Sequence, residues 1–438
     1  MRRLCVVLAT ALALVFSTAG CDDLPSSPNP DPAASPAESR VPGDYGQPLG
    51  RTPPGGAPLS PEDDGASTFS VPVFDIAATP PGGLLVAETV FPATTPSAGT
   101  STTTVKELTR SGAADVAQIT TTKGSPINGL ASTGRRSFFA TSGGLDQAVG
   151  AGLWHVTPGT ARLVADIEAF EQQTDPDAFE GPQWKDQRCE ATAGFSAGPQ
   201  SNPYHLARLS GRTALVADGA GNTLLAASTN GAVDWVSILT PPVREDVAAA
   251  ASDDPEDWRV LFPLNEDTNC FVQPVPTAVD VGPDGAYYVG ELTGVTPANL
   301  GGTPSTGLSR VWRVDPGARN VTCPSAQCEV VLSGLTSVLD LAFGPDGALY
   351  VVEYDENGWF AATQLGNPAG GTVNRCDVDA GTCTPVESGL TLPGAIAVDK
   401  SGALWLLENN IGTPTVRRLD PDASPATRPA SAPNGPPR

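Results

Sequence analysis

Six times along the chain an apolar run, a turn and a second apolar run end on one polar residue, and this repeat restricts the possible folds more than any other feature. "PTAVDVGPDGAYYVGE" (276–291) returns as "LDLAFGPDGALYVVE" (339–353). Aligned on the final acid, further copies end at Glu88, Asp218 and Glu408, and a weaker one, "PINGLASTGRRSFFATS", ends at Ser142. Successive ends lie 54, 76, 73, 62 and 55 residues apart, so each unit is one supersecondary element with loops of different length. The turns carry Asp-Gly or a Gly pair in three of the copies. The second runs are apolar on both faces, as in Leu349, Tyr350, Val351 and Val352, which suits a strand in a sheet sandwiched between two others.

A third strand-like run ("SRVWRVD", "GTVNRCDV") and a fourth ("CEVVLSG", "TPVESG") follow in the better copies. Four antiparallel strands per repeat make a propeller blade, and six copies predict an all-β, six-bladed β-propeller. The last unit stops after its third strand, "PTVRRLD", while "STFSVP" stands just before the first unit, where other units have a fourth strand. The N-terminal strand is therefore expected to close the last blade and remove the free sheet edge.

The ends of the chain are of another kind. "MRRLCVVLATALALVFSTAGC" reads as a secretory signal over residues 1–20, and its "TAGC" resembles a bacterial lipobox with Cys21 as the lipidated residue; the alternative is plain cleavage and secretion. Residues 21–66 are dense in Pro, Ser and Asp and predict a disordered stalk, residues 67–420 the propeller, and residues 421–438 a disordered tail. Six further cysteines in an exported chain predict three disulfides. Cys323 with Cys328, Cys376 with Cys383 and Cys189 with Cys270 is the most economical of the 15 connectivities six cysteines allow. The net charge of −23 makes nucleic acid an improbable partner and is explained by solubility. The expected partners are the membrane, through the lipid anchor, and a protein or small-molecule ligand at one propeller face, with the protein at the extracytoplasmic side of the envelope.

Equivalent positions in a ring of blades lie on one circle, so Glu88, Asp218, Glu291, Glu353 and Glu408 form a broken crown with Ser142 as its gap. The first expectation for these acids is that each accepts hydrogen bonds from backbone donors of the loop after its strand. The functional alternative is a carboxylate ring that holds Ca²⁺ or supplies a general base, and no other cofactor is expected. Asp75, Asp280 and Asp340 on innermost strands can face the central channel. His205, in "NPYHLA", can reach it too, although a lone histidine there reads first as structural. His155 reads as packing. "DIEAFEQQTDPDAFE" (166–180) has short helical character and five acids after its first residue, and is expected as a lid segment between blades two and three. It reads first as a solvated acidic loop and second as a calcium ligand set, because its spacing is not that of an EF-hand. No nucleophile elbow, zinc-binding helix or P-loop motif occurs.

"QPVPTAVDVGPDGAYYVGELTG" (273–294), "SNPYHLA" with "VADGAGNTLL" (201–225), "LVADIEAFEQQ" (163–173) and "SGLTSVLDLAFGPDGALYVVE" (333–353) together resemble the ScyD/ScyE family of exported, NHL-like β-propeller proteins, over nearly the whole body. The resemblance implies the fold and no reaction. The chain departs from the family pattern in its "DPDAFEGPQWKDQRCEATAGFSAGPQ" insertion and in its cysteine pairs. The function expected is a noncatalytic binding or scaffolding module at the cell envelope. The alternative is a propeller hydrolase of the lactonase kind, or an oxidoreductase, with a metal at the channel mouth.

Overall fold

The computed structural model describes residues 66–92, 99–109, 112–121, 125–134, 136–143, 151–178, 199–242, 273–294 and 306–420. The signal, the stalk up to residue 65, the tail, Cys21, Cys189 and Cys270 lie outside them.

Six small antiparallel sheets follow one another along the chain, innermost strand first. Blade 1 comprises Val73–Ala78, Leu84–Val90, Ser101–Thr109 and Gly112–Thr121. Blade 2 comprises Ile127–Gly134, Ser137–Ser142, Gly152–Thr157 and Thr160–Asp166. Blade 3 runs through Pro203–Arg208, Thr213–Asp218, Thr223–Ser228 and Val233–Ile238. Blade 4 contains Pro276–Val281, Tyr287–Glu291, Ser309–Val314 and Cys328–Leu335. Blade 5 contains Val338–Phe343, Leu349–Glu353, Gly371–Asp377 and Thr382–Leu390. Blade 6 has Ala395–Val398, Leu404–Glu408 and Thr415–Leu419, and its outer strand is Ser67–Thr68, paired antiparallel with Val416 and Thr415. The expected six-bladed propeller with its N-terminal closing strand is the fold of the protein. The innermost strands pack in sequence around the ring, and blade 6 returns to blade 1.

The burial pattern follows from the sandwiching of each sheet. Every residue of the second strands Tyr287–Glu291, Leu349–Glu353 and Leu404–Glu408 is buried, whereas the outer strand Thr382–Leu390 is largely exposed. The core is accordingly divided among the blade interfaces. Leu215, Leu224 and Val236 of blade 3 meet Val289 and Trp312 of blade 4, and Leu349 and Val351 of blade 5 meet Val311 and Leu332 of blade 4. Each such side chain contributes about 1.5–3 kcal/mol on full burial. The turns between first and second strands are local: Asp284 and Asp346 each accept from the backbone two residues on, and Gly285 and Gly347 take the positive φ (79° and 78°) that an Asp-Gly turn requires.

Among the described residues two disulfides are formed, Cys323–Cys328 and Cys376–Cys383. The second joins directly paired residues of two antiparallel strands, with Gly381 in the turn. One feature was not foreseen: Val321–Thr322, between the third and fourth strands of blade 4, reaches back and pairs parallel with the outer strand of blade 3. Helix α1 (Ile167–Thr174) links blade 2 to blade 3, with the Asp166 carboxylate accepting from Ala169 N at its start and left-handed Asp175 ending it. Helix α2 (Trp359–Thr363) follows the second strand of blade 5. No described helix is long and apolar enough to cross a membrane.

Candidate functional site

The terminal acids occupy equivalent places, but most are answered by side chains of the third strand rather than by the loop that follows. Glu88 pairs with Lys106 at 2.6 Å. Glu291 accepts from Arg310 Nε (2.5 Å) and Nη2 (3.2 Å) and from Trp312 Nε1 (2.9 Å). Glu353 accepts from Asn374 Nδ2 and Thr336 N (both 2.5 Å), and Glu408 from Arg417 Nε (2.5 Å) and Thr391 N (3.4 Å). Thr336 and Thr391 precede the first strand of the same blade, so the acid ties that strand's entry to the third strand. In blade 2, Ser142 accepts from Trp154 Nε1. Burial pushes Glu291 up and Arg310 pulls against it, whereas Glu353, with an amide partner and Glu356 nearby, is pushed up to about 7.

Blade 3 breaks this pattern. Asp218 Oδ1 accepts from Asn202 N (2.7 Å) and Gly221 N (3.2 Å), while Oδ2 is buried with no hydrogen-bond partner among the described residues. Its cross-strand partner is Thr223, whose Oγ1 is likewise buried without a partner. The acids of α1 turn toward this place and are not a solvated loop. Glu168 accepts from Ser201 N (3.0 Å) and Glu171 is wholly buried.

On the channel side, Asp75, His205 and Asp340 converge. His205 Nε2 lies 2.7 Å from Asp75 Oδ1 and Nδ1 lies 2.9 Å from Asp340 Oδ1. The three come from the innermost strands of blades 1, 3 and 5, so the contact spans the axis of the ring. All three stand thirteen residues before the terminal acid of their blade; Gly129 and Ala278 fill that place in blades 2 and 4. Asp75 and Asp340 are wholly buried, and the His205 side chain keeps only a 9% exposed edge.

The aspartates also staple neighbouring blades. Asp75 accepts from Ile76 N (2.7 Å) and from Leu130 N of blade 2 (2.5 Å); Asp340 accepts from Leu341 N (2.6 Å) and from Ile396 N of blade 6 (2.7 Å). Asp280 does the same between blades 4 and 5, accepting from Val281 N (2.8 Å) and Phe343 N (2.9 Å), without touching His205. Burial pulls the His205 imidazole down, but Asp340 and Asp75 outweigh it and hold it well above its ordinary value. Burial raises Asp75 to about 6 against the pull of His205, and raises Asp280 to about 6. Tyr204, beside His205, is raised by burial and then by Asp75 and Asp340.

A metal among these three groups does not fit the donors. Both ring nitrogens face carboxylates, and both oxygens of each carboxylate already accept a backbone N–H, so an ion would have to displace the imidazole protons. The channel-mouth metal expected in the alternative reading is therefore not supported by Asp75, His205 and Asp340. His155 packs on Phe139 (5.5 Å between ring centroids) and meets Ser137 Oγ at 3.1 Å.

No protein-family model matches the chain, and no curated protein does. Similar solved structures include a gluconolactonase from Xanthomonas campestris (10% identity, TM-score 0.45, covering 87% of this chain and 99% of that one). They also include a glucose dehydrogenase (11%, TM-score 0.42, 82% and 100%) and the calcium-binding protein regucalcin from Agrobacterium tumefaciens (13%, TM-score 0.40, 82% and 95%). At these identities the likeness shows the fold alone, and the ScyD/ScyE resemblance is matched only to the extent of a six-bladed propeller. The expected noncatalytic scaffold is corrected here: the named neighbours include enzymes, a lactonase and a dehydrogenase, which accords with the enzyme alternative instead.

Proposed function

We propose that this propeller is a hydrolase acting on small carbonyl esters of the lactone kind, with Asp75, His205 and Asp340 as its proton-handling group. The observation that carries the reading is the imidazole held between two buried carboxylates of innermost strands, with 9% of its side chain exposed. Hydrolysis of a cyclic ester needs a proton taken from water as it adds to the carbonyl and a proton delivered to the departing alkoxide. A carboxyl at about 6 and an imidazolium held by two carboxylates supply both near neutrality.

The reading extends to location. Supporting an exported, lipid-anchored protein of ScyD/ScyE type are the signal-like first 20 residues with Cys21 and the two disulfides, which suit an oxidising compartment.

The test is a panel of aldonolactones and aryl esters offered to the wild-type protein and to His205→Gln. Wild type should hydrolyse at least one class, with a rate rising through about pH 6 as Asp75 loses its proton, and His205→Gln should lose on the order of 10²-fold or more while keeping its circular dichroism. Undiminished hydrolysis by the variant, or none by wild type across the panel, removes the proposal.

A further inference from the structure

Between α1 and blade 3 lies a second concentration of carboxylates, away from the channel group and independent of the hydrolase reading. Glu171, Asp175 and Asp177 place one oxygen each within 4.8 Å of one another. Glu171 is wholly buried, and among the described residues no N–H or hydroxyl donor meets either of its oxygens. Two further buried oxygens without partners belong to the adjoining second and third strands of blade 3, Asp218 Oδ2 and Thr223 Oγ1. Gly221 leaves the space between them open: a Cβ there would stand 3.3 Å from both Glu171 Oε2 and Thr223 Oγ1. Asn222 orients the rim, its Nδ2 donating to Asp177 Oδ2 at 2.8 Å.

An uncompensated buried carboxylate is costly, and here several share one place. Among the described residues the charged groups whose fields reach Glu171 are Asp177, Asp218 and Asp175, all acids; after burial itself they push it up to about 10, and Asp177 is pushed up to about 7. The other blades show what is missing. Lys106, Arg310 and Arg417 answer the terminal acids of blades 1, 4 and 6, and Asn374 answers that of blade 5, but at the place of Lys106, Asn374 and Arg417, two residues beyond the acid's cross-strand threonine, blade 3 has Leu225, and α1 adds Glu171 instead of a base. The positive charge supplied elsewhere by a third-strand side chain is absent from blade 3.

We propose that Glu171, Asp177, Asp218 and Thr223, with Asp175 at the rim, bind one calcium-class divalent cation that locks α1 onto blade 3. The donors are all oxygen, carboxylate and hydroxyl, which is the chemistry of a hard cation; no sulfur or imidazole enters the set. Opposite the ion, Asp218 Oδ1 holds Asn202 N, three residues before His205. The ion therefore also steadies the segment that enters the channel strand.

The experiment titrates calcium chloride into the intact, chelator-stripped protein, with heat of binding and melting temperature as readouts and no dependence on activity. Wild type should take up one ion per chain below about 1 mM and melt higher with calcium than without. Glu171→Gln should bind at least about tenfold more weakly, yet melt above wild type in the absence of calcium, because a neutral amide replaces an acid buried among other acids. Thr223→Val, which keeps the shape and removes one oxygen, should weaken binding without lowering the calcium-free melt. Glu88→Gln, at an acid already answered by Lys106, should respond to calcium as wild type does. No uptake by wild type would overturn the proposal. Uptake by Glu171→Gln at wild-type affinity would place the ion elsewhere and overturn it equally.

Discussion

Glu353 and Glu291 occupy the same place in neighbouring blades, yet their replacement by glutamine should act with opposite sign. Glu353 is 6% exposed and its side-chain partner is Asn374, with no counter-charge. Burial and Glu356 hold its carboxyl at about 7 against an ordinary 4.5. Between those values the folded chain keeps a proton that the unfolded chain has released, so stability falls as pH rises from 4.5 to about 7 and is level above it. That interval corresponds to about 3 kcal/mol, an upper bound. Glu353→Gln removes this penalty while keeping an acceptor for Thr336 N, and Asn374 can turn its amide to suit. The variant should match wild type near pH 4.5 and exceed it by up to about 3 kcal/mol at pH 8.

Glu291→Gln instead leaves the guanidinium of Arg310, 8% exposed and 4.6 Å over the Trp312 ring, without its counter-charge. It should cost about 3 kcal/mol at pH 8, the low end for a broken buried pair, because the amide oxygen still accepts one bond. Urea unfolding of both variants at pH 5 and pH 8 reads the signs directly. If both destabilise at pH 8 by similar amounts, the division of the crown into charge-paired and unpaired acids is wrong.

Two further outcomes follow from the staples and the closure. Asp340→Ala should strand Leu341 N and Ile396 N at about 1–3 kcal/mol each and release His205 Nδ1, whereas Asp280→Ala should cost a similar amount and shift the ionisation of His205 less, because Asp280 reaches the ring through its field alone; urea midpoints and histidine resonances check the pair. Phe69→Ala, at the closing strand and 7% exposed among Val73, Trp405 and Val416, should cost about 3 kcal/mol, and proteolysis should then begin at the N-terminal strand rather than in blades 2 to 5.

The ring was legible because the blades repeat patterns that local rules produce: double-sided apolar second strands, Asp-Gly turns in blades 4 and 5, and an unpaired third strand at one end matched by a spare strand at the other. The crown's positions were legible as well, but their partners were not, since Lys106, Arg310, Asn374 and Arg417 sit on a strand whose register only the folded sheet fixes. His205 could have been found. Its distance from Asp218 equals those of Asp75 and Asp340 from their own terminal acids, a signal hidden when the three aspartates alone are compared and Asp280 breaks the level. The burial of Glu171 had no sequence signal beyond helical spacing, because it depends on how α1 lies against blade 3. The parallel pairing of Val321–Thr322 crosses between blades from within a loop and obeys no repeat.

The state of His205 tests the account most directly, and the chain is suited to the measurement because it contains two histidines, His155 and His205. Nitrogen-15 spectra of the imidazoles across pH 5 to 9 separate an imidazole with two protonated nitrogens from one with a bare nitrogen. His205 should keep protons on both Nδ1 and Nε2 through pH 8, held by Asp340 and Asp75, while His155, which burial pushes down, should be neutral by pH 7. A His205 ring with one unprotonated nitrogen at pH 7 would contradict the carboxylate clamp and, with it, the proton-handling group on which the proposed hydrolysis depends.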